Sequence, residues 1–324
     1  IHASALPRQT LEESAADVLV YGQGIEPFCE LVAELSRPEP DLSKVMGTYY
    51  RDALNAIREN PANTRVMTLD EYPFVVESSD LLQWSGYMDF IDHHDGHNRG
   101  KPATLWTSQG CHGNCNFCAM HSIYPYHIEH RSAENVFKEI RLWYEAGRSG
   151  FFIADDVFTD DAQRLDTLAD YIEKANLDIF LIVLSRADCI DQRRLDALKK
   201  MRVKTVSVAL ETGSQRLLRM IGKGLKVDDV GRAVSLAKRN GFETRVFIMV
   251  GFPTETKEDI LLTARFIEEH RTELDEVNVS ITMPYPGTRL YKDTRITVLP
   301  QFAGQFASWQ HQPELGRKHL IDAA

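Results

Sequence analysis

The chain reads as an α/β protein, a partial (βα)6 TIM-like barrel with extra structure before it. Two observations predict this. From about residue 103 onward, short β-branched or apolar runs alternate with amphipathic stretches of helical period, the pattern of a parallel βα array. The polar and glycine-containing segments fall just past the ends of the strand-like runs, where βα barrels carry their active sites.

The elements follow in order. Thr104 to Thr107 is the first strand. Ser132 then reads as an N-cap for a helix that carries Val136, Ile140 and Trp143 on one face and stops near Gly147. Residues 150–154 form the second strand, followed by Asp155 and Asp156 and by a helix with Leu165, Leu168 and Ile172 inward. The third strand is 179–184, the next helix is marked by Leu195 and Leu198, and the fourth strand is 205–210. A helix with Val230, Val234 and Ala237 inward ends at Asn240 and Gly241. The fifth strand is 244–250, a helix runs around Ile260 to Ile267, and the sixth strand is 277–281. Before this array, residues 16–24 read as a strand and a glycine turn, followed by a helix with Phe28, Leu31, Val32 and Leu35.

Cys111, Cys115 and Cys118 form a C-x-x-x-C-x-x-C cluster directly after the first strand. Three thiolates so close together suit three irons of a 4Fe-4S cubane, whereas a complete protein cage uses four cysteines. The fourth iron is then open to a small molecule. Phe117 adds an apolar wall beside the last ligand. The competing reading is zinc, with His94, His97, His112 or His121 as a fourth ligand, but no second C-x-x-C is present.

The spacing and the barrel together resemble the radical S-adenosylmethionine (SAM) superfamily. The resemblance implies that Cys111, Cys115 and Cys118 hold the cluster, whose open iron chelates S-adenosyl-L-methionine. Glu211 matches the position at the end of the fourth strand where a carboxylate meets the SAM ribose; its other reading is an exposed strand-end residue. Asp155 and Asp156 resemble an Asp pair near the methionyl amino group or the substrate, or else they cap the helix starting near Thr159 or Asp160. Ser185 and Arg186 suit the SAM carboxylate or ribose, or a surface salt bridge. Gly251 and Pro253 resemble a turn whose backbone lies against adenine, or simply shape a βα turn. Gly287 belongs to a Pro-Gly-Thr turn of the same family, again with a structural reading open.

Within the superfamily, the N-terminal part resembles the class that carries a cobalamin-binding domain. Residues 1–7 are similar to the loop before the closing strand and helix of that Rossmann-like domain, and residues 68–73 to the linker after it. The expected organisation is a remnant of the cobalamin-binding domain (1–40), a linker (41–102), the radical SAM partial barrel (103–291) and a C-terminal tail (292–324). The chain begins at Ile1, not Met, which suggests a fragment, with most of the doubly wound domain lying before it. Residues 93–97 superficially resemble a cobalamin-ligating loop but have the wrong spacing, and read as a polar linker.

A net charge of -10 without a long basic run argues against nucleic-acid binding through phosphates, and no apolar run reaches membrane-spanning length. Clustered thiols without a disulfide framework point to a reducing, cytoplasmic setting. Cys29 and Cys189 read as buried small hydrophobes, and Tyr124, Tyr126 and His127 as loop aromatics beside the cluster. The resulting expectation is an enzyme that cleaves SAM reductively to begin radical chemistry, ending in cobalamin-dependent methylation of an unactivated carbon. Its partners would be a small-molecule or natural-product substrate and an electron donor such as a flavodoxin or ferredoxin. The rivals are a cobalamin-independent radical SAM oxidoreductase or methylthiotransferase-like enzyme, which in the latter case needs a second cluster, a zinc-stabilised module without turnover, and a simple electron carrier. No residue is assigned to the chemical step itself.

Overall fold

In the computed structural model, the described residues are 2–63, 68–81, 102–124, 128–295, 297–298 and 309–310. They group into two compact units, one drawn from the described residues of 2–63, 110–124 and 282–310, the other from those of 68–109 and 128–281. His94, His97, Tyr126, His127 and the segment 93–97 lie outside the described residues.

The second unit holds the βα array. Its strands are β4 (Pro102–Leu105), β7 (Gly150–Ile153), β8 (Phe180–Ser185), β9 (Val203–Glu211), β10 (Glu243–Val250) and β11 (Glu276–Ile281). They form one six-stranded sheet in the order β11-β10-β9-β8-β7-β4, and every pairing is parallel. Among the described residues no ladder joins β4 to β11, so the sheet is an open, partial barrel. The intervening helices are α4 (Ala133–Glu145), α5 (Ala162–Ala175), α6 (Gln192–Lys200), α7 (Gln215–Met220), α8 (Val227–Arg239) and α9 (Lys257–Glu269). Ser132, Asp161, Asp191, Ser214 and Thr256 cap all of these except α8, each side chain accepting from a backbone N–H of the first turn.

The core of this unit is continuous. Leu105, Phe151, Ile153, Leu181, Val183, Val206, Val208, Val246 and Ile248 of the strands meet Ile140, Leu165, Leu168, Ile172, Leu198, Val230 and Val234 of the helices. Each such side chain, fully buried, contributes about 1.5–3 kcal/mol relative to exposure. Gly213 lets the chain pass against α9: a Cβ there would sit 2.6 Å from Leu262 O and 2.7 Å from Thr263 Cα.

The first unit departs from the sequence expectation. Residues 1–7, expected as a loop, contain α1 (His2–Ala5) and the start of α2 (Pro7–Glu12), since Pro7 at the first helical turn loses no hydrogen bond. β1 (Val18–Val20) and α3 (Ile25–Leu35) form where the strand and helix were read. Within the segment read as a linker, however, β2 (Thr48–Arg51) and β3 (Ile57–Glu59) join β1 in a small sheet of antiparallel pairs. Tyr49 supplies the reason, packing with Leu11 and Leu19 in a separate small core. Cys29 is exposed on α3 rather than buried, and Phe28, Val32 and Leu35 on the same helix are also exposed. Among the described residues no helix is long and apolar enough to cross a membrane.

Candidate functional site

The cysteine loop departs from a short ladder. β5 (Ser108–Gln109) pairs antiparallel with β6 (Glu129–His130), so the two ends of the intervening loop are held side by side. Within the loop, Cys111, Cys115 and Cys118 are each half-buried, and none is in a disulfide. Gly113 N–H donates to Cys111 Sγ at 3.2 Å, and Cys118 N–H donates to Cys115 O at 3.3 Å, which folds the C-x-x-C segment into a turn. Such N–H to sulfur bonds stabilise thiolate character, as cluster ligation requires. Phe117 beside them is half-buried.

The C-terminal turn braces this loop. Leu290 N–H donates to Asn116 O at 2.9 Å, and Arg289 Nη2 donates to Asn114 Oδ1 at 2.8 Å and to Asn114 O at 2.5 Å. Gly287 has φ of +86°, and a Cβ there would collide with Ser122 and lie 2.9 Å from Ala5 Cβ. A close approach therefore requires glycine at 287 as much as its backbone conformation does. Of the histidines offered by the zinc reading, His112 is exposed and His121 has Nε2 2.8 Å from Gly113 O. Three cysteine thiols within eight residues fit a three-thiolate iron-sulfur donor set better than a four-ligand zinc cage.

At the strand ends of the βα array, the structure places the other residues singled out from sequence. Asp155 is buried after β7, and its oxygens are engaged: Oδ1 accepts from Thr107 N–H at 2.6 Å, and Oδ2 from Thr107 Oγ1 at 2.5 Å and Ser108 Oγ at 2.7 Å. Arg164 continues the network by donating from Nη2 to Thr107 O and Oγ1. Asp156 is half-buried, and its carboxyl is pushed up to about 6, first by burial and then by the charge of Asp155. Neither residue caps the next helix; Asp161 does, through Oδ1 to Gln163 and Arg164 N–H.

Ser185 is buried and bonded to the Thr159 hydroxyl. Arg186 is buried too. Its Nε and Nη2 meet Asp188 at 3.1 and 3.0 Å, and Nη2 also reaches the carbonyl of Lys223 at 3.2 Å. Glu211 is not an exposed strand end. It is 7% exposed, sits at φ of +68°, and accepts from the buried Lys223 Nζ at 2.7 Å. Cys189, in the turn after Arg186, is buried as expected, and burial pushes its thiol up to about 11.

After β10, Gly251 has φ of +90°, and both it and Pro253 are buried. Sequence reasoning passed over the residue that fixes this turn. Glu255, 1% exposed, accepts from Gly251 N–H, and burial raises its carboxyl to about 7 against the opposing pull of the Gly251 and Phe252 N–H groups. Its signal was an acidic residue four positions after a glycine at the end of a strand. Beside it, Asp259 joins α7 to α9 by accepting from Ser214 Oγ, Thr256 N–H and Arg216. Those bonds hold its carboxyl down to about 2 despite partial burial.

A family comparison ties these features together. Residues 107–267, from the strand end before the cysteines to the last turn of α9, match the model of the radical SAM superfamily. This chain belongs to the radical SAM superfamily. An uncharacterized methyltransferase of Pyrococcus horikoshii is 31% identical over 293 residues, 90% of this chain and 61% of the relative. A putative methylthiotransferase of Methanocaldococcus jannaschii is 32% identical over 203 residues, 59% of this chain and 44% of the relative. The chain thus spans about half the length of these relatives.

Among solved structures, the radical SAM methyltransferase TsrM from Kitasatospora setae, with cobalamin and a [4Fe-4S] cluster bound, superposes with a TM-score of 0.71. That match has 19% identity and covers 89% of this chain and 55% of TsrM. TsrM with tryptophan substrate and a SAM analog gives 0.74 at 17% identity, over 99% of this chain and 69% of that one. At such identities the likeness establishes the radical SAM fold and leaves chemistry to the residues.

Proposed function

We propose that this radical SAM protein binds a 4Fe-4S cluster and SAM, and uses them to methylate an unactivated carbon of a small-molecule substrate. The observation that carries the reading is the loop with Cys111, Cys115 and Cys118, braced by N–H to sulfur and backbone bonds and lying within the family match. The three thiolates would hold three irons. A cluster held there would supply the single electron for reductive cleavage of SAM, the chemistry that begins a radical reaction on the substrate.

The chain's own residues bind and orient. Glu211 would accept from the ribose hydroxyls, for which a buried carboxylate is suited. Asp156, half-buried and without a hydrogen bond among the described residues, would accept from the methionyl ammonium or the substrate. Asp155 would act at one remove, fixing Thr107 and Ser108 at the start of the cysteine segment. The turn at Gly251 and Pro253, clamped by Glu255, would let adenine approach the backbone at Gly251, where no side chain stands in the way. Arg186, bound to Asp188, would act on SAM binding only at one remove, through the geometry it imposes on the Lys223 loop.

Cobalamin as a further cofactor is supported by the TsrM likeness, and methyl transfer by the methyltransferase relative. The described residues 2–63 do not fit a cobalamin layer by themselves, because their sheet has antiparallel pairs and three short strands. No step is therefore assigned to residues of this chain acting on cobalamin. A flavodoxin or ferredoxin would be a suitable reductant.

Anaerobic reconstitution with iron and sulfide tests the proposal. About four irons and four sulfides per chain are expected, with an EPR signal on reduction that changes when SAM is added and 5′-deoxyadenosine formed. All should be lost in Cys115→Ala. Zinc without sulfide would sink the reading in favour of a non-catalytic module, and about eight irons would favour a methylthiotransferase-like enzyme.

A further inference from the structure

Lys223 lies in the loop between α7 and α8 and is 4% exposed. Gly222 and Gly224 on either side both have φ of +72°, a conformation glycine takes without strain. The double reversal turns the lysine inward, and its Nζ meets Glu211 Oε1 at 2.7 Å. The backbone of the same residue is anchored independently, since its carbonyl accepts from Arg186 Nη2, and Arg186 is itself held by Asp188. Both residues thus converge on a third that carries no sequence signal except its two glycines.

An ammonium buried against a carboxylate has a specific consequence. It gives a buried carboxylate a partner where an isolated one would be costly, and it takes one oxygen out of play. Among the described residues no hydrogen bond engages Oε2 of Glu211. A carboxylate oxygen has two acceptor directions, which suits a vicinal diol.

We propose that Lys223 is a positioning residue for SAM binding: it fixes Glu211 through Oε1 so that Oε2 is presented to the ribose hydroxyls. This rests on the assignment of Glu211 to the ribose. Lys223 itself does not touch the ligand.

The test is equilibrium binding of S-adenosylhomocysteine and its 2′,3′-dideoxy analogue to the reconstituted protein. For the parent, the dideoxy compound should bind at least about ten-fold more weakly, the loss expected for hydrogen bonds to a charged group. Glu211→Gln and Lys223→Met should each weaken S-adenosylhomocysteine at least about ten-fold and leave the dideoxy compound unchanged, while Lys223→Arg restores most of the loss. The double variant, Glu211→Gln with Lys223→Met, leaves no charge uncompensated and keeps the test available if Lys223→Met does not fold. It should bind no worse than Glu211→Gln alone.

Three outcomes would overturn the proposal. These are that Lys223→Met binds S-adenosylhomocysteine like the parent, that it loses both ligands equally, or that it adds a further loss to Glu211→Gln. If Glu211→Gln binds both ligands like the parent, the underlying ribose assignment fails instead, a result distinguishable from the other three.

Discussion

Glu255 offers a test of how burial is balanced at the β10 turn, independent of any cofactor. Its carboxyl is raised from the ordinary 4.5 to about 7, chiefly by burial. That displacement corresponds to something on the order of 3 kcal/mol. Between those two values the folded chain keeps a proton that the unfolded chain has released, so rising pH favours unfolding. The contribution is fully present below about 4.5 and is lost as the pH passes about 7.

Glu255→Gln retains a carbonyl oxygen to accept from Gly251 N–H but cannot ionise. Urea titrations of parent and variant at pH 5, 6, 7 and 8 should therefore diverge. The two should be similar at pH 5, with the variant more stable at pH 8 by an amount on the order of 3 kcal/mol. All other groups cancel in the difference. Parallel curves, or a variant less stable by the same amount at every pH, would mean that Glu255 is an ordinary ionised carboxylate in a charge-assisted hydrogen bond, and the reasoning would fail.

Asp155→Asn should lower stability by about 2–3 kcal/mol, measured by urea titration, because the amide cannot accept all the donors Asp155 serves at Thr107 and Ser108. Arg289→Ala should speed the release of iron from the reconstituted cysteine loop to a chelator by a few-fold, the scale of one or two exposed hydrogen bonds. Global stability should change by less than about 0.5 kcal/mol, since Arg289 braces Asn114 at the surface. Unchanged iron release would show that the C-terminal turn does not brace the loop.

The βα array was legible because its strands are apolar or β-branched runs, most of them buried though not β11, and because most of its helices carry caps that chemistry enforces; Ser132 was placed as an N-cap from sequence and is one. The cysteine loop was legible because ligand spacing is local. What was hidden depends on contacts between distant residues. β2 pairs with β1 across thirty residues, and Tyr49 needs Leu11 and Leu19 to become core. The Asp155–Asp156 pair looked like two equal carboxylates, but Thr107 and Ser108, nearly fifty residues earlier, engage one and leave the other. Lys223 and Glu255 were unread for the same reason. A lysine between glycines and a glutamate before a helix both look like surface until the chain brings Glu211 and the Gly251 N–H to them.

The burial of the Glu211–Lys223 pair bears on how this protein can be engineered. A buried ion pair gains little over apolar groups of similar volume. Replacing Glu211 and Lys223 together by methionine keeps the buried volume and removes both charges, and is therefore expected to hold or raise the melting temperature while discarding the carboxylate. A library sorted for thermal stability would drift toward that pair of changes, so sorting should score ligand retention alongside heat resistance, with position 211 held fixed.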